Sequence, residues 1–147
     1  MPTIFFDMDG TIANLYGKEN WLEYLENEDA TLYAEAEPLL NMQALAHRLN
    51  NLQKKGFRLE IISWTSKTGS ENFNAEVEAV KIKWLASHLS SVTFDKINIV
   101  PYGTLKDNFR KTFDDILFDD EQKNRENWQG FAFDEKDIPK ILKVLSL

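Results

Sequence analysis

Two aspartates, separated by one residue, follow the first apolar run of the chain. Residues 4–6 (Ile-Phe-Phe) show no polar alternation, which predicts a strand buried on both faces that ends at Asp7. Side chains two positions apart in an extended segment point the same way, so Asp7 and Asp9 are expected to face one site. Two converging carboxylates repel each other unless a cation lies between them, and oxygen ligands suit Mg²⁺. The pair therefore predicts a magnesium site at the end of this strand.

A calcium loop is the other structure in which an Asp-x-Asp-Gly segment is common. A loop of the EF-hand kind needs further oxygen ligands at alternating positions and a glutamate at its end. Thr11, Ile12, Ala13 and Leu15 follow here and do not supply that set. Gly10 instead permits the tight turn by which the backbone leaves the strand.

The segment Asp7-Met8-Asp9-Gly10-Thr11 resembles the first motif of the haloacid dehalogenase-like (HAD) hydrolases. The resemblance implies that Asp7 is a nucleophile that forms an aspartyl-phosphate. It also implies that Asp9 is a general acid/base, with its backbone carbonyl as a metal ligand. The expected activity is that of a magnesium-dependent phosphatase.

Three later segments resemble the remaining motifs of that family, in the same order. Ser63 ends a predicted strand, and the resemblance implies that its hydroxyl binds the phosphate. Lys106 would neutralise the phosphate and position the nucleophile. Asp119 and Asp120 follow another predicted strand and would complete the metal ligation, with Asp120 favoured as the direct ligand.

Each of these later residues has an alternative. Thr65 is a rival to Ser63 as the phosphate-binding hydroxyl, and Lys106 could be an ordinary surface lysine with Thr104 as a helix cap. A one-residue shift would make Asp119 the direct metal ligand. Trp64 stands where glycine is more familiar in this family, which indicates a side chain at the phosphate-binding pocket.

The elements that must position these residues alternate between strand and helix. A helix opening at Pro38 carries leucines at helical spacing and ends near Gly56, and a second, after Asn72, carries Val77, Val80 and Trp84 on one face. This alternation predicts an α/β fold with a doubly wound parallel sheet, the Rossmann-like core that the HAD resemblance also implies. The predicted strands are residues 4–7, 58–63, 96–100, 116–118 and 130–133, with a short helix around 102–113 and a last helix through Ile138 to Leu145.

Length and composition limit the class of protein. The 147 residues fit one domain, 1–147, in which approximately residues 14–37 form a small cap insertion. The net charge of −7 makes a nucleic-acid partner unlikely, because phosphate backbones require clustered Lys and Arg. Without cysteine there are no disulfides or thiolate metal sites, and no run reaches membrane-spanning length. We therefore expect a cytoplasmic protein that does not bind membranes. The oligomeric state is left open.

The substrate is predicted only as a class, a small phosphate monoester such as a nucleotide. Trp21, Tyr24, Leu25, Leu32 and Tyr33 of the insertion would either stack on the substrate or pack the cap onto the core, and packing is favoured. A small helical cap is weakly similar to the deoxyribonucleotidase branch of the HAD family. The alternatives are a phosphatase of polynucleotide or protein phosphates, or a phosphate-binding module without turnover. His47 and His88 are expected to be solvated, and Asn124 either bonds the acidic loop or is an exposed helical residue.

Overall fold

The structure, a computed structural model, describes all 147 residues. Five parallel strands form the main sheet in the order β5-β4-β1-β6-β7, and two short strands form an antiparallel ladder. The predicted α/β parallel-sheet fold is therefore confirmed. The strands are β1 (Thr3–Phe6), β2 (Ala13–Asn14), β3 (Glu37–Pro38), β4 (Arg58–Trp64), β5 (Lys96–Val100), β6 (Ile116–Phe118) and β7 (Phe131–Phe133). The helices are α1 (Trp21–Glu26), α2 (Thr31–Ala34), α3 (Met42–Lys54), α4 (Glu71–His88), α5 (Gln122–Glu126) and α6 (Ile138–Leu145).

The central strand β1 is buried along its whole length, as its unbroken apolar run predicts. It pairs with β4 on one side and β6 on the other. The chain proceeds from β1 to β4 and β5 in one direction and then returns to place β6 and β7 on the opposite side. The strand order therefore reverses between β1 and β6, and in open α/β sheets ligands bind beyond the carboxyl ends of the strands at such a point.

The first long helix starts later than predicted. α3 begins at Met42, where the Asn41 side chain accepts a hydrogen bond from the Ala44 N–H at 3.0 Å. Pro38 does not open the helix, because it lies in β3, which pairs with β2. The capping asparagine was the better start signal, since its side chain satisfies a free N–H of the first turn.

The insertion between β1 and α3 is closed at its base by the β2–β3 ladder and contains α1 and α2. Ile12, Ala13 and Ala36 near the ladder belong to the main core, but the apolar side chains of α1 and α2 do not. They form a smaller cluster with Phe73 and Val77 on the first half of α4, while Trp84 and Leu85 of the same helix belong to the main core. The cluster consists of Leu15, Ala30, Leu32, Tyr33, Phe73 and Val77.

Two further differences concern short helices. The segment around residues 102–113 contains only a 3₁₀ turn, Lys106–Phe109, and Thr104 does not cap it, because the Thr104 hydroxyl donates to the Pro101 carbonyl. α5 was not predicted from its polar sequence. No helix in the structure is both long and apolar enough to span a membrane.

A buried aspartate ties the amino ends of β1 and β6 together. Asp115 is 1 % exposed, and its carboxylate accepts hydrogen bonds from the backbone N–H groups of Thr3 (2.9 Å), Lys111 (2.7 Å) and Thr112 (3.1 Å). Burial by itself raises the pKa of Asp115, but these donors outweigh it and hold the pKa below its ordinary value.

Asp115→Asn should therefore lower the free energy of unfolding by about 1–3 kcal/mol at neutral pH, because an amide NH₂ faces N–H donors where a carboxylate oxygen stood. A carboxyl with a lowered folded-state pKa stabilises the protein above its unfolded pKa of about 3.9 and loses that contribution as the pH falls through the folded value. The difference in the free energy of unfolding between wild type and variant should thus become smaller at acidic pH. Urea denaturation at pH 7 and at pH 3 measures it, and a gap that widens at pH 3 would contradict this account.

Candidate functional site

A cavity of about 350 Å³ opens at the carboxyl edge of the sheet, over the point where the strand order reverses. Asp7 directly follows β1, and Asp119 directly follows β6. The two strand ends are held in register because the Asp7 N–H donates to the Phe118 carbonyl at 2.9 Å. The structure thus brings the residues of the first and last predicted motifs, 112 positions apart in the chain, to one place.

Three carboxylates converge at this edge. Asp7, Asp119 and Asp120 each offer one oxygen, and these oxygens all lie within 4.8 Å of one another. Burial, together with the nearby Asp7, raises the pKa values of Asp119 and Asp120 above the ordinary range. An all-oxygen set whose members repel one another fits a hard divalent cation such as Mg²⁺. The residues present are therefore suited to that ion.

Lys106 neutralises part of this cluster. Its ammonium donates to Asp7 Oδ1 at 2.9 Å and to Asp119 Oδ2 at 2.7 Å, and it lies 5.2 Å from the centre of the Trp64 ring. Burial lowers the pKa of Lys106, but the two carboxylates outweigh burial, and the net shift is upward. Lys106 is therefore a buried, charged lysine and not the surface lysine of the alternative prediction.

The two adjacent aspartates, Asp119 and Asp120, differ in how many protein donors bond to their carboxylates. Asp119 is fully buried: Oδ2 accepts from Lys106 and from the Asn124 side chain at 3.1 Å, and Oδ1 accepts from the Glu121 N–H at 3.0 Å. Asp120 is only partly buried, and the one hydroxyl near its carboxylate, that of Thr11 at 3.2 Å, lies closer to Asp7 Oδ2, at 2.8 Å. Asp120 therefore has oxygen lone pairs free towards the cavity. Asn124 bonds the acidic loop, which was one of its two predicted roles.

Thr11 and Gly10 link the first loop to the acidic pair. The Thr11 Oγ1 atom lies 2.8 Å from Asp7 Oδ2 and accepts a hydrogen bond from the Asp120 N–H at 3.1 Å. Gly10 has a φ of +83°, and a Cβ at this position would overlap the Asp120 carboxylate. The residue after the two aspartates must therefore be glycine both for its backbone conformation and for the space that Asp120 takes.

Asp9 also lines the cavity, and it pairs with a lysine that the sequence analysis did not identify. Asp9 Oδ2 accepts from the Lys81 ammonium at 2.7 Å. Burial raises the pKa of Asp9, and Lys81 opposes that shift without reversing it. The available signal was position: Lys81 follows Phe73 and Val77 at four-residue steps and precedes Trp84, so it lies on the apolar face of α4.

Ser63 does not reach the cavity. It is 0 % exposed, and its Oγ accepts from the Lys81 ammonium at 2.8 Å. β4 runs one residue further than predicted, and alternation along the strand places Ser63 on the same face as Leu59 and Ile61, inside the core. The contact between Ser63 and phosphate stays a prediction, and in this structure the Ser63 hydroxyl is engaged by Lys81.

The loop after β4 supplies the cavity's hydroxyls instead. Thr65, the rival in the sequence analysis, lines the cavity together with Ser66 and Thr68. Trp64 also lines the cavity, and its indole N–H donates to the Thr104 carbonyl at 2.9 Å. Trp64 therefore contributes an aromatic wall, with Tyr102 tilted against it at a ring distance of 4.8 Å.

The aromatic residues of the insertion divide between the two predicted roles. Leu32 and Tyr33 belong to the smaller cluster and Trp21, Tyr24 and Leu25 pack against it, but Trp21, Leu25 and Tyr33 also line the cavity. His47 is exposed, and His88 packs on Trp84 away from the cavity. Neither histidine belongs to the site.

Comparison with known proteins bears on the fold. No protein-family model matches the chain, and no curated protein matches it by sequence. Among solved structures, the chain is similar to the D,D-heptose 1,7-bisphosphate phosphatase from Burkholderia thailandensis. The TM-score is 0.53 at 13 % sequence identity, over 86 % of this chain and 70 % of that protein. At this identity the similarity shows a shared fold, and the activity of this chain has to be argued from its own site.

Proposed function

We propose that this protein is a magnesium-dependent phosphatase that hydrolyses a small phosphate monoester with Asp7 as nucleophile. One observation carries the proposal: Asp7, Asp119, Asp120 and Lys106 converge at the carboxyl edge of the sheet, inside a cavity of ligand size. The similarity in fold to a known phosphatase and the order of the HAD-like motifs support it.

Asp7 is held ready for attack. Lys106 restrains Oδ1 and the Thr11 hydroxyl restrains Oδ2, so that the carboxylate has a fixed orientation while remaining 7 % exposed to the cavity. In the first step an Asp7 oxygen forms a bond to phosphorus and the bond from phosphorus to the leaving oxygen breaks, while Asp9 gives that oxygen a proton. In the second step water attacks the phosphorus of the aspartyl-phosphate, Asp9 takes the water proton, and the Asp7 carboxylate is released.

Mg²⁺ would be held by Asp7 and Asp120, with Asp119 in support and the Asp9 backbone carbonyl as a further ligand. Its positive charge would offset the repulsion between an anionic nucleophile and an anionic phosphate. Lys106 adds positive charge beside Asp7, and the hydroxyls of Thr65, Ser66 and Thr68 are donors available to phosphate oxygens.

The substrate's leaving group would occupy the aromatic part of the cavity. Trp64 and Tyr102, whose rings are in contact, line this part together with Trp21, Leu25 and Tyr33 of the insertion. We propose on this basis that residues 14–37 act as a small cap and that a planar leaving group, such as a nucleoside, is accepted. A volume of about 350 Å³ favours a small monoester over a polymer end.

The proposal is tested by measuring phosphate release from a panel of esters with purified protein and Mg²⁺. Nucleoside monophosphates, sugar phosphates and p-nitrophenyl phosphate represent the proposed class; an oligonucleotide with a terminal phosphate and a phosphopeptide represent the alternatives. We expect turnover of the small esters, loss of turnover in EDTA and recovery with Mg²⁺. Full activity in EDTA, or no hydrolysis of any ester, would refute it.

The acidic pair can be separated by its metal requirement. Asp120→Ala should raise the Mg²⁺ concentration needed for half-maximal activity by about tenfold or more, because Asp120 has oxygens free towards the cavity. Asp119→Ala should instead destabilise the fold, since it removes the fully buried carboxylate that accepts hydrogen bonds from Lys106 and Asn124. Magnesium titrations and melting curves of both variants check this. A larger shift in the magnesium requirement for Asp119→Ala would make Asp119 the direct ligand.

A further inference from the structure

Lys81 is a fully buried charge that the proposed chemistry does not yet use. Its side chain is 1 % exposed, although it lies in the middle of α4, among residues that pack the insertion and the core. Lysine is almost never fully buried unless its ammonium is paired. A buried lysine on an apolar helix face therefore calls for an account of what its three N–H donors do.

All three donors of the Lys81 ammonium have acceptors. They are Asp9 Oδ2 at 2.7 Å, Ser63 Oγ at 2.8 Å and the Trp64 carbonyl at 2.7 Å. The Tyr33 ring, whose centre is 5.1 Å from Nζ, closes the remaining side. The ammonium thus joins the loop after β1 to the end of β4 and to the start of the cavity loop at Trp64.

The hydrogen bond from Lys81 holds the Asp9 carboxylate in one orientation. Oδ2 is engaged by Lys81, and no other protein group bonds this carboxylate, whose side chain is 17 % exposed at the cavity. Asp9 lies beyond the end of β1, in the turn that contains Gly10, so the strand ladder does not hold it. Without Lys81 the side chain would be free to rotate towards solvent or towards the neighbouring carboxylates.

We propose that Lys81 is a positioning residue that sets the orientation of Asp9, so that the second oxygen of its carboxylate faces the leaving group of the substrate. Lys81 does not touch substrate and is not a catalytic residue. The inference rests on the proposed function, because it concerns proton transfer by Asp9 during phosphoester cleavage. In this proposal a residue of α4, outside the four sequence motifs, supports the proton transfer by Asp9.

The experiment compares two esters whose leaving groups need protonation to different degrees. An alkyl phosphate needs a proton on the departing oxygen, whereas p-nitrophenyl phosphate needs little. In Lys81→Met the kcat for the alkyl ester should fall about 10- to 100-fold, a part of the roughly 10²–10⁴-fold that general acid catalysis contributes, and the kcat for p-nitrophenyl phosphate should fall far less. KM for both esters should change little, because Lys81 does not contact substrate.

The ratio of the two rates is independent of the fraction of folded protein, so it separates positioning from stability. Lys83→Met, on the exposed side of the same helix, is the matched control and should leave the ratio unchanged. If Lys81→Met does not fold, Lys81→Gln keeps an N–H donor without the charge and carries the same comparison.

A double variant tests whether Lys81 acts through Asp9. In an Asp9→Asn background, Lys81→Met should reduce the alkyl-ester rate little further, because the group that it positions is already disabled. Equal losses from Lys81→Met in both backgrounds, or an unchanged rate ratio in the single variant, would overturn the role of Lys81 while leaving the proposed function intact. Absence of hydrolysis of either ester by the wild type would refute the proposed function itself.

Discussion

Asp7→Asn should reduce phosphate release by at least about a thousandfold, because an amide is not a competent nucleophile for phosphorus. The substitution is nearly isosteric, and the Asn oxygen can still accept a hydrogen bond from Lys106 or from Thr11. The fold should therefore survive. Measurement of kcat on p-nitrophenyl phosphate, together with a circular-dichroism melting curve, checks both statements.

Asn124→Asp provides a contrast for the same assay. It replaces the amide that donates to Asp119 by a further carboxylate. Because Asp7 and its contacts with Lys106 and Thr11 are unchanged, the variant should have reduced but measurable activity. Activity of Asp7→Asn within a few-fold of wild type would show that another group attacks phosphorus.

Lys106→Met should damage both activity and stability. The ammonium is the shared donor to Asp7 and Asp119, and its removal leaves two buried carboxylates without their cation. Breaking a buried ion pair by removing one partner commonly costs about 3–5 kcal/mol, and we expect a loss of that order in the free energy of unfolding. Activity should fall at least about a hundredfold, since the charge that we propose stabilises the phosphate is lost.

Two measurements separate these effects. Lys123→Met, at an exposed position on α5, is the control for loss of a lysine and should change neither stability nor turnover. Addition of Mg²⁺ should recover part of the lost stability in Lys106→Met, because a cation would again stand among the carboxylates. A variant with wild-type melting temperature and wild-type kcat would exclude Lys106 from the site.

The sequence allowed the main sheet and the acidic edge to be predicted because both rest on short-range signals. A strand buried on two faces is visible as an unbroken apolar run, as in residues 4–6. Because the carboxyl ends of parallel strands lie at the same edge of the sheet, the aspartates after this strand lie at the same edge as Asp119. The end of β4 and the face on which its last side chains lie could not be predicted in the same way. Alternation along β4 places Ser63 on the same face as the core residues Leu59 and Ile61, and which face of a doubly buried strand meets the cavity is not visible in an apolar run without polar alternation.

Lys81 could not be assigned for a different reason. Its partners lie 72, 18 and 17 positions away in the chain, and only the packing of α4 against the sheet brings them together. A lysine on an apolar stripe is visible in the sequence, but it is equally consistent with a side chain that extends to solvent past its neighbours. The start of α3 shows a smaller version of the problem, since both Pro38 and Asn41 are good start signals and only the β2–β3 ladder decides between them.

The position of α4 also bears on how the molecule unfolds. Its first half, with Phe73 and Val77, packs the insertion, and its second half, with Trp84 and Leu85, packs the main core. The Trp84 indole N–H also donates to the Ala36 carbonyl at the base of the insertion, at 2.8 Å. One continuous helix is therefore common to both hydrophobic clusters, so neither can lose its packing without disturbing the other. We therefore expect the insertion and the sheet to unfold as a single cooperative unit.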